Sequence, residues 1–182
     1  MQKFLIAYSS VDGQTMKICK HIQQVLEESG STVDLFEIGG LGACDMAAYD
    51  TVVVGASIRY GKHRPDIYRF IETHRESLER KRNAFFSVNV VARKAGKDTP
   101  QTNPYFRAFS KRTTWKPNLL GVFAGKIDYR MYGFFDRHMI RLIMWMTNGP
   151  TDMASSTEFT DWNAVRQFAH KLLPASLHIR NP

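Results

Sequence analysis

The stretch Phe4–Ile18, FLIAYSSVDGQTMKI, decides how the rest of the chain is read. A β-rich run, Lys3–Tyr8, stops at Ser9-Ser10-Val11-Asp12-Gly13-Gln14-Thr15. Apolar residues then recur near helical spacing (Met16, Ile18, Cys19, Ile22, Val25, Leu26) until Gly30 ends the pattern. A strand that passes into a helix through serine, glycine and threonine is suited to holding phosphate. Successive backbone N–H groups form an anion-binding concavity, and the helix N-terminus adds about half a positive charge. The hydroxyls of Ser9, Ser10 and Thr15 add donors, and Gly13 permits a positive φ. A capped βα turn uses the same residue types, so the turn alone is a moderate signal.

Outward from this turn the chain alternates strand and helix. Thr32–Ile38 reads as a second strand, and Thr51–Ala56 is a continuous apolar run suited to a strand covered on both faces. Pro65–Leu78 reads as a helix opened by proline, Ala84–Val91 and Leu119–Ala124 as further strands, and Tyr105–Arg112 as a helix between them. Asp161 is placed to cap a last helix reaching Leu173. Five strands interleaved with helices predict an α/β domain spanning residues 1–182, with a parallel sheet and helices on both faces. One segment breaks the alternation. Residues 129–157 contain MYGFFDRHMIRLIMWMTNG, apolar around most of a helix, with Arg137, His138 and Arg141 on one arc. Because Ser155–Thr160 is strand-like again, this insert is expected to interrupt the fifth strand. Its helix is too short to span a bilayer but long enough to lie in the interface; a buried helix is the alternative.

Composition narrows the partners. The 182 residues carry a net charge of +8, concentrated between Arg59 and Arg130, where 17 Lys/Arg and 6 Asp/Glu give a local +11 against −3 elsewhere. Such polarity points to an anionic substrate, an anionic membrane surface or nucleic acid. The two cysteines, Cys19 and Cys44, are read as reduced thiols, and the six scattered histidines show no metal-ligand spacing, so no metal is expected. Met1-Gln2-Lys3 runs straight into a strand pattern, so no targeting leader is expected. Two other phosphate motifs fail. Gly55–Lys62 has five residues between its glycines instead of four, with His63 where a nucleotide P-loop needs Ser or Thr. Gly39-Gly40-Leu41-Gly42 does not open a dinucleotide-binding βαβ unit.

Ser10–Thr15 is similar to the phosphate loop of flavodoxins. GASIRYG (Gly55–Gly61), FFSVNVVARK (Phe85–Lys94), TPQTNPY (Thr99–Tyr105), the MIRLIM core of the insert and FTDW (Phe159–Trp162) extend the likeness. Together they resemble the flavodoxin-like, quinone-dependent protoporphyrinogen IX dehydrogenases of bacterial haem biosynthesis. The resemblance implies a five-stranded parallel sheet in the order 2-1-3-4-5, with FMN over its C-terminal edge. It places the FMN phosphate on Ser9, Ser10, Val11, Asp12, Gly13, Gln14 and Thr15. The ring would lie between Ser57, Ile58, Arg59, Tyr60 and Gly61 on one side and Val88, Asn89, Val90, Val91, Ala92 and Arg93 on the other. Tyr60 is the candidate stacking residue, and Asn89 with neighbouring amides the candidate contact for the pyrimidine edge. Asp12 stands where flavodoxins usually have a hydroxyl residue; it is expected to offer its N–H and turn its carboxylate away.

The implied reaction is oxidation of protoporphyrinogen IX to protoporphyrin IX, a loss of six electrons in two-electron steps, with a membrane quinone (menaquinone or ubiquinone) as acceptor. Arg59, Arg93, Lys94, Arg137 and Arg141 are the candidate partners for substrate carboxylates. No residue is assigned as acid or base, although His63, His138 and Tyr129 are available. A basic face and an amphipathic insert imply peripheral docking on the cytoplasmic face of the inner membrane, with a second subunit as the other possible cover for the insert. Competing readings are a carrier flavodoxin, a flavodoxin-like NAD(P)H:quinone reductase and a basic RNA-binding domain. The flavin-type loops favour no nucleic-acid partner.

Overall fold

The computed structural model describes residues 1–40, 45–146 and 149–174. The readings placed on Gly42, Cys44 and His178 lie outside the described residues. Along the chain run β1 (Lys3–Ser9), α1 (Gln14–Glu28), β2 (Thr32–Glu37), β3 (Thr51–Arg59), β4 (Lys62–His63), α2 (Pro65–Thr73) and α3 (Arg75–Arg80). After them come β5 (Arg82–Val88), α4 (Pro104–Arg112), β6 (Leu119–Phe123), β7 (Lys126–Asp128), α5 (Phe134–Met146), β8 (Ser156–Glu158) and α6 (Trp162–Leu172). The parallel strands pair in the order β2-β1-β3-β5-β6, the 2-1-3-4-5 arrangement, and β4 folds back antiparallel on β3.

Alternation along each strand sorts the core into two layers. Phe4, Ile6, Val53, Phe86 and Phe123 face α1 and α6, while Leu5, Ala7, Val52, Val54 and Phe85 face α2, α3 and α4. Burial on both faces is why β1, β3 and β5 read as unbroken apolar runs. Two glycines make room within this packing. A Cβ on Gly55 would fall 2.3 Å from Phe86 Cζ, and one on Gly121 would fall 2.9 Å from Phe168 Cε2.

Several boundaries differ from the sequence reading, each for a local reason. β3 runs on to Arg59 because Tyr60 (φ 49) and Gly61 (φ 76) make a two-residue turn into β4, the left-handed pair that hairpins of this length require. β5 stops at Val88 because the Asn89 side chain accepts from Ala92 N and starts a 3₁₀ turn over Val90–Arg93. The helix expected over Pro65–Leu78 is broken at His74, whose φ is −108° and whose ring packs on Phe70 with centroids 4.8 Å apart. The insert leaves the parallel strand β6 whole. It lies between β7 and β8, which form a separate antiparallel ribbon just beyond the sheet. Phe159 N donates to Gly125 O at 3.0 Å and Thr160 Oγ1 to Ala124 O at 2.8 Å, closing the ribbon onto the end of β6.

Candidate functional site

At the C-terminal end of β1 the chain enters α1 through Gly13, in the left-handed region at φ 80°, with no side-chain cap on the helix. Nothing lies within 4 Å of a Cβ built there, so glycine is needed for its backbone angle rather than for space. The first turn carries no acidic residue. The hydroxyls of Ser9, Ser10 and Thr15 are buried without a hydrogen-bond partner. Orphaned buried hydroxyls are costly, and uncapped helix N–H groups need acceptors. Of these, Ser10 and Thr15 stand beside the uncapped helix start and with it make a cradle that fits a phosphate group. The far side of the turn is braced: Gln14 Nε2 donates to Thr160 Oγ1 at 2.8 Å, and Lys17 pairs with Glu158 at 2.8 Å.

The cradle opens into a cavity of about 230 Å³ walled by the Tyr60 turn, the loop after β5 and the inner side of the insert. Of the residues expected around a flavin, Ser10, Asp12, Gln14, Thr15, Ser57–Gly61, Val88–Val91 and Arg93 line it. Ser9, Val11, Gly13 and Ala92 do not; Ser9 and Ala92 are turned into the packing. Asn89 is 3% exposed and its amide is committed to the loop. Its Oδ1 accepts from Ala92 N at 3.0 Å and from Asn103 Nδ2 at 3.1 Å, and Asn103 in turn caps α4. Asn89 therefore shapes the loop, and backbone groups of that loop are the better donors for a ring edge.

Arg59 sits at the junction of three walls. Its Nη1 donates to both Asp12 carboxylate oxygens, at 2.8 and 3.0 Å, and its Nη2 to Asp136 Oδ2 at 3.3 Å. The guanidinium carbon also lies 5.0 Å from the Tyr60 ring centroid and 5.1 Å from that of Tyr132. The Asp12 carboxylate is thus engaged by a cation beside the phosphate cradle.

Sequence reasoning missed the other half of the enclosure. Tyr105, Gly125, Lys126, Ile127, Tyr132, Met139, Ile140, Ile143 and Met144 all line the cavity. The four from α5 fall at spacing i, i+1, i+4 and i+5, a helical face hidden in a segment apolar around most of its circumference. Met144 and Tyr132 are buried, with Ile127 and Tyr129, in a small core of the insert's own. The opposite face of α5 is open, with Phe135 85%, Phe134 71% and Trp145 70% exposed, so an ordinary buried helix is excluded. Among the described residues no helix is long and apolar enough to cross a membrane.

The candidate substrate cations divide. Arg59, Arg93 and Lys94 line the cavity, whereas Arg137 donates to Tyr132 O at 3.2 Å and Arg141 is exposed on the insert, neither in the lining. Nor do His63, His138 or Tyr129 reach the cavity. His63 is buried behind Ser87, with Nε2 3.0 Å from Ser87 Oγ, and burial, reinforced by Arg112, pushes its pKa down to about 4. Tyr129 donates to Pro150 O at 2.6 Å, and His138 Nδ1 lies 2.8 Å from Phe134 O on the exposed side of α5. Burial raises the Tyr132 hydroxyl to about 12, with Asp12 adding to the effect, so this wall stays uncharged.

Residues 5–154 match the family model described as a flavodoxin domain. The chain is 41% identical over 170 residues to the protoporphyrinogen IX dehydrogenase [quinone] of Escherichia coli (strain K12), covering 93% of this chain and 94% of that one. A protein of the same name from Leishmania major is 42% identical over 168 residues, covering 92% of this chain and 73% of its own length. Among solved structures, oxidised flavodoxin 1 from Bacillus cereus superposes with a TM-score of 0.54 at 16% identity, over 94% of this chain and 97% of that one. That likeness establishes the shared fold.

Proposed function

Since the chain belongs to the flavodoxin-domain family, we propose that it is an FMN-dependent dehydrogenase that oxidises protoporphyrinogen IX to protoporphyrin IX and passes the electrons to a quinone. The observation that carries this reading is the two-ended cavity. A cradle of orphaned hydroxyls lies at one end, and a cation-flanked apolar wall from the insert lies at the other. A one-electron carrier has no need for the second end.

The chemistry a bound flavin supplies is two-electron acceptance, so the six-electron oxidation takes three turnovers, each closed by the quinone. The protein's part is grip, orientation and exclusion of water. Ser10, Thr15 and the N–H groups from Val11 to Thr15 hold the phosphate, with Arg59 neutralising Asp12 beside it. Tyr60, exposed on the turn after β3, offers its ring as a stacking surface, and the loop Val88–Arg93 supports the opposite edge. Arg93 and Lys94, both in the cavity lining, meet the substrate's propionates, while Met139, Ile140, Ile143 and Met144 cover the tetrapyrrole's apolar body. No side chain is assigned as the proton acceptor.

We infer further that the protein docks peripherally on anionic lipid at the inner membrane, where quinone and tetrapyrrole reside. Supporting this are the exposed outer face of α5 and the basic segment Arg93–Lys116 beside the cavity, with seven basic residues and one acidic.

The reading is tested by mixing FMN-loaded protein anaerobically with protoporphyrinogen IX, then adding a menaquinone or a ubiquinone analogue. Bleaching of the flavin, growth of porphyrin fluorescence and recovery of the flavin on adding quinone are expected. A flavin that stays oxidised with porphyrinogen but bleaches with NADPH would replace this reading with an NAD(P)H:quinone reductase.

A further inference from the structure

At its first turn α5 is tied to the neighbouring walls by directional bonds. Asp136, in the first turn of α5, accepts the Tyr60 hydroxyl at 2.7 Å and Arg59 Nη2 at 3.3 Å, both on Oδ2. The same guanidinium grips Asp12 on the phosphate loop. Three segments distant in sequence are thereby joined through one arginine: the loop before α1, the turn after β3 and the insert. Farther along α5 the side chains of Met139, Ile140, Ile143 and Met144 line the cavity, and the contact of apolar side chains has no preferred direction. The ion pair and the hydrogen bond supply the direction. The ion pair is partly shielded, with the Arg59 and Asp136 side chains 20% and 25% exposed, and so is screened less than an open surface pair.

Tyr60 has little else to fix its ring. It is 61% exposed, on a two-residue turn at φ 49°, with the Arg59 guanidinium on one side and Asp136 at its hydroxyl.

We propose that Asp136 is a positioning residue. Through Tyr60 and Arg59 it sets both the angle of the Tyr60 ring and the seat of α5 over the cavity. The wall that meets the tetrapyrrole is thus locked to the wall that grips the cofactor. The proposal rests on the flavin reading, since a ring angle matters only if something stacks there.

Asp136 also complements the dipole at the start of α5, a role that would be structural alone. Tyr60→Phe separates the two, because it removes the same hydrogen bond without touching the helix. FMN-loaded Asp136→Asn, Tyr60→Phe and the double variant are compared by iodide quenching of flavin fluorescence and by KM and kcat for protoporphyrinogen. Each single variant should expose the flavin to iodide and raise KM more than it lowers kcat, and the double should go no further than the larger single. Asp136→Glu should restore part of the loss. FMN affinity of Asp136→Asn should stay within about twofold, because the phosphate cradle and the Asp12–Arg59 pair are untouched.

The latch is read a second time without cofactor. In the apo protein, tryptic cleavage at Arg137 and Arg141 should be about tenfold faster in both single variants, the cost of one hydrogen bond to a charged acceptor. Wild-type proteolysis in both would overturn the proposal, as would additive effects in the double variant. A wild-type protein that takes up no FMN yet shows the proteolysis effect would overturn the cofactor reading and leave the latch standing.

Discussion

Asp12 and Arg59 face each other at the edge of the phosphate cradle, with Arg59 Nη1 2.8 and 3.0 Å from the two carboxylate oxygens. A carboxylate at that position would repel a phosphate dianion, so the arginine is what makes the loop hospitable. Arg59→Gln should weaken FMN binding by about tenfold, roughly 1.4 kcal/mol, with a smaller effect on riboflavin, which lacks the phosphate. Adding Asp12→Ser should recover most of the phosphate-dependent part. Flavin fluorescence titrations of the two variants with both ligands measure this. Equal losses for FMN and riboflavin would mean that Arg59 acts on the ring instead.

The orphaned hydroxyls carry an expectation of opposite sign for the two states of the protein. Thr15 is 1% exposed and its Oγ1 has no partner. Thr15→Val removes an unsatisfied polar atom from the apo protein, stabilising it by up to about 1 kcal/mol and raising its Tm by roughly 2–4 °C. The same change should cost FMN binding on the order of tenfold, because the lost hydrogen bond is to a charged acceptor. Thermal melts of apo protein beside FMN titrations show whether the two effects part in this way.

Gly55 serves the packing. Its partner across the sheet is Phe86, whose Cζ would lie 2.3 Å from an added Cβ. Gly55→Ala should destabilise the protein by about 2–3 kcal/mol, and Phe86→Leu in that background should return part of the loss. Urea unfolding midpoints of the pair and the single variants decide it.

Much of this architecture was legible because its signals are local. β1, β3 and β5 announce themselves as apolar runs, and the turn at Gly13 gathers its hydroxyls within seven residues, Ser9 to Thr15. The first glycine of GASIRYG looked like half of a failed P-loop, since only the register of β3 against β5 reveals that it makes room for Phe86. The Tyr60 turn was illegible for another reason: a tyrosine at positive φ contradicts the propensity on which turn reading depends. Asn89 does line the cavity, but that its Oδ1 is held by Asn103, 14 residues on, is not legible in the sequence. The roofing role of α5 is hard to read from sequence, because a helix whose charged residues occupy one narrow arc leaves two apolar sides, and the pattern does not say which of them is covered.

His63 makes stability depend on pH in a defined window. Its ring lies among Tyr68, Phe85 and Phe109, and its pKa falls from an ordinary 6.5 to about 4. Above pH 6.5 the ring is neutral in both folded and unfolded chains, and its contribution is fully present. Between 6.5 and about 4 the unfolded chain takes up a proton that the folded one refuses, so stability drops as pH falls. The loss totals about 3 kcal/mol and its slope ends below pH 4. In His63→Gln this component should vanish, so the difference between wild-type and variant unfolding free energies should follow that window. A constant offset between pH 4 and 7 would show the ring to be charged or solvated in the native state.

The outer face of α5 has the geometry of an interfacial helix. At 100° per residue Phe134, Phe135, Leu142, Trp145 and Met146 fall on about 120° of arc, and all are more than half exposed. Arg141 stands at the border of that arc, placed to reach headgroups while its stem lies along the apolar face. Burying a large apolar side chain is worth about 1.5–3 kcal/mol, so removing two should reduce partitioning by at least about a hundredfold. Phe135→Ser/Trp145→Ser protein should therefore fail to co-sediment with phosphatidylglycerol vesicles that retain the wild type, while its FMN affinity stays unchanged. Wild-type binding should also weaken on neutral phosphatidylcholine and at high salt, as the basic segment from Arg93 to Lys116 requires. If vesicle binding persists in the variant while sedimentation equilibrium shows a dimer falling apart, the face is covered by a second subunit instead. Each cover accounts for the exposed aromatics, but only lipid makes binding depend on headgroup charge.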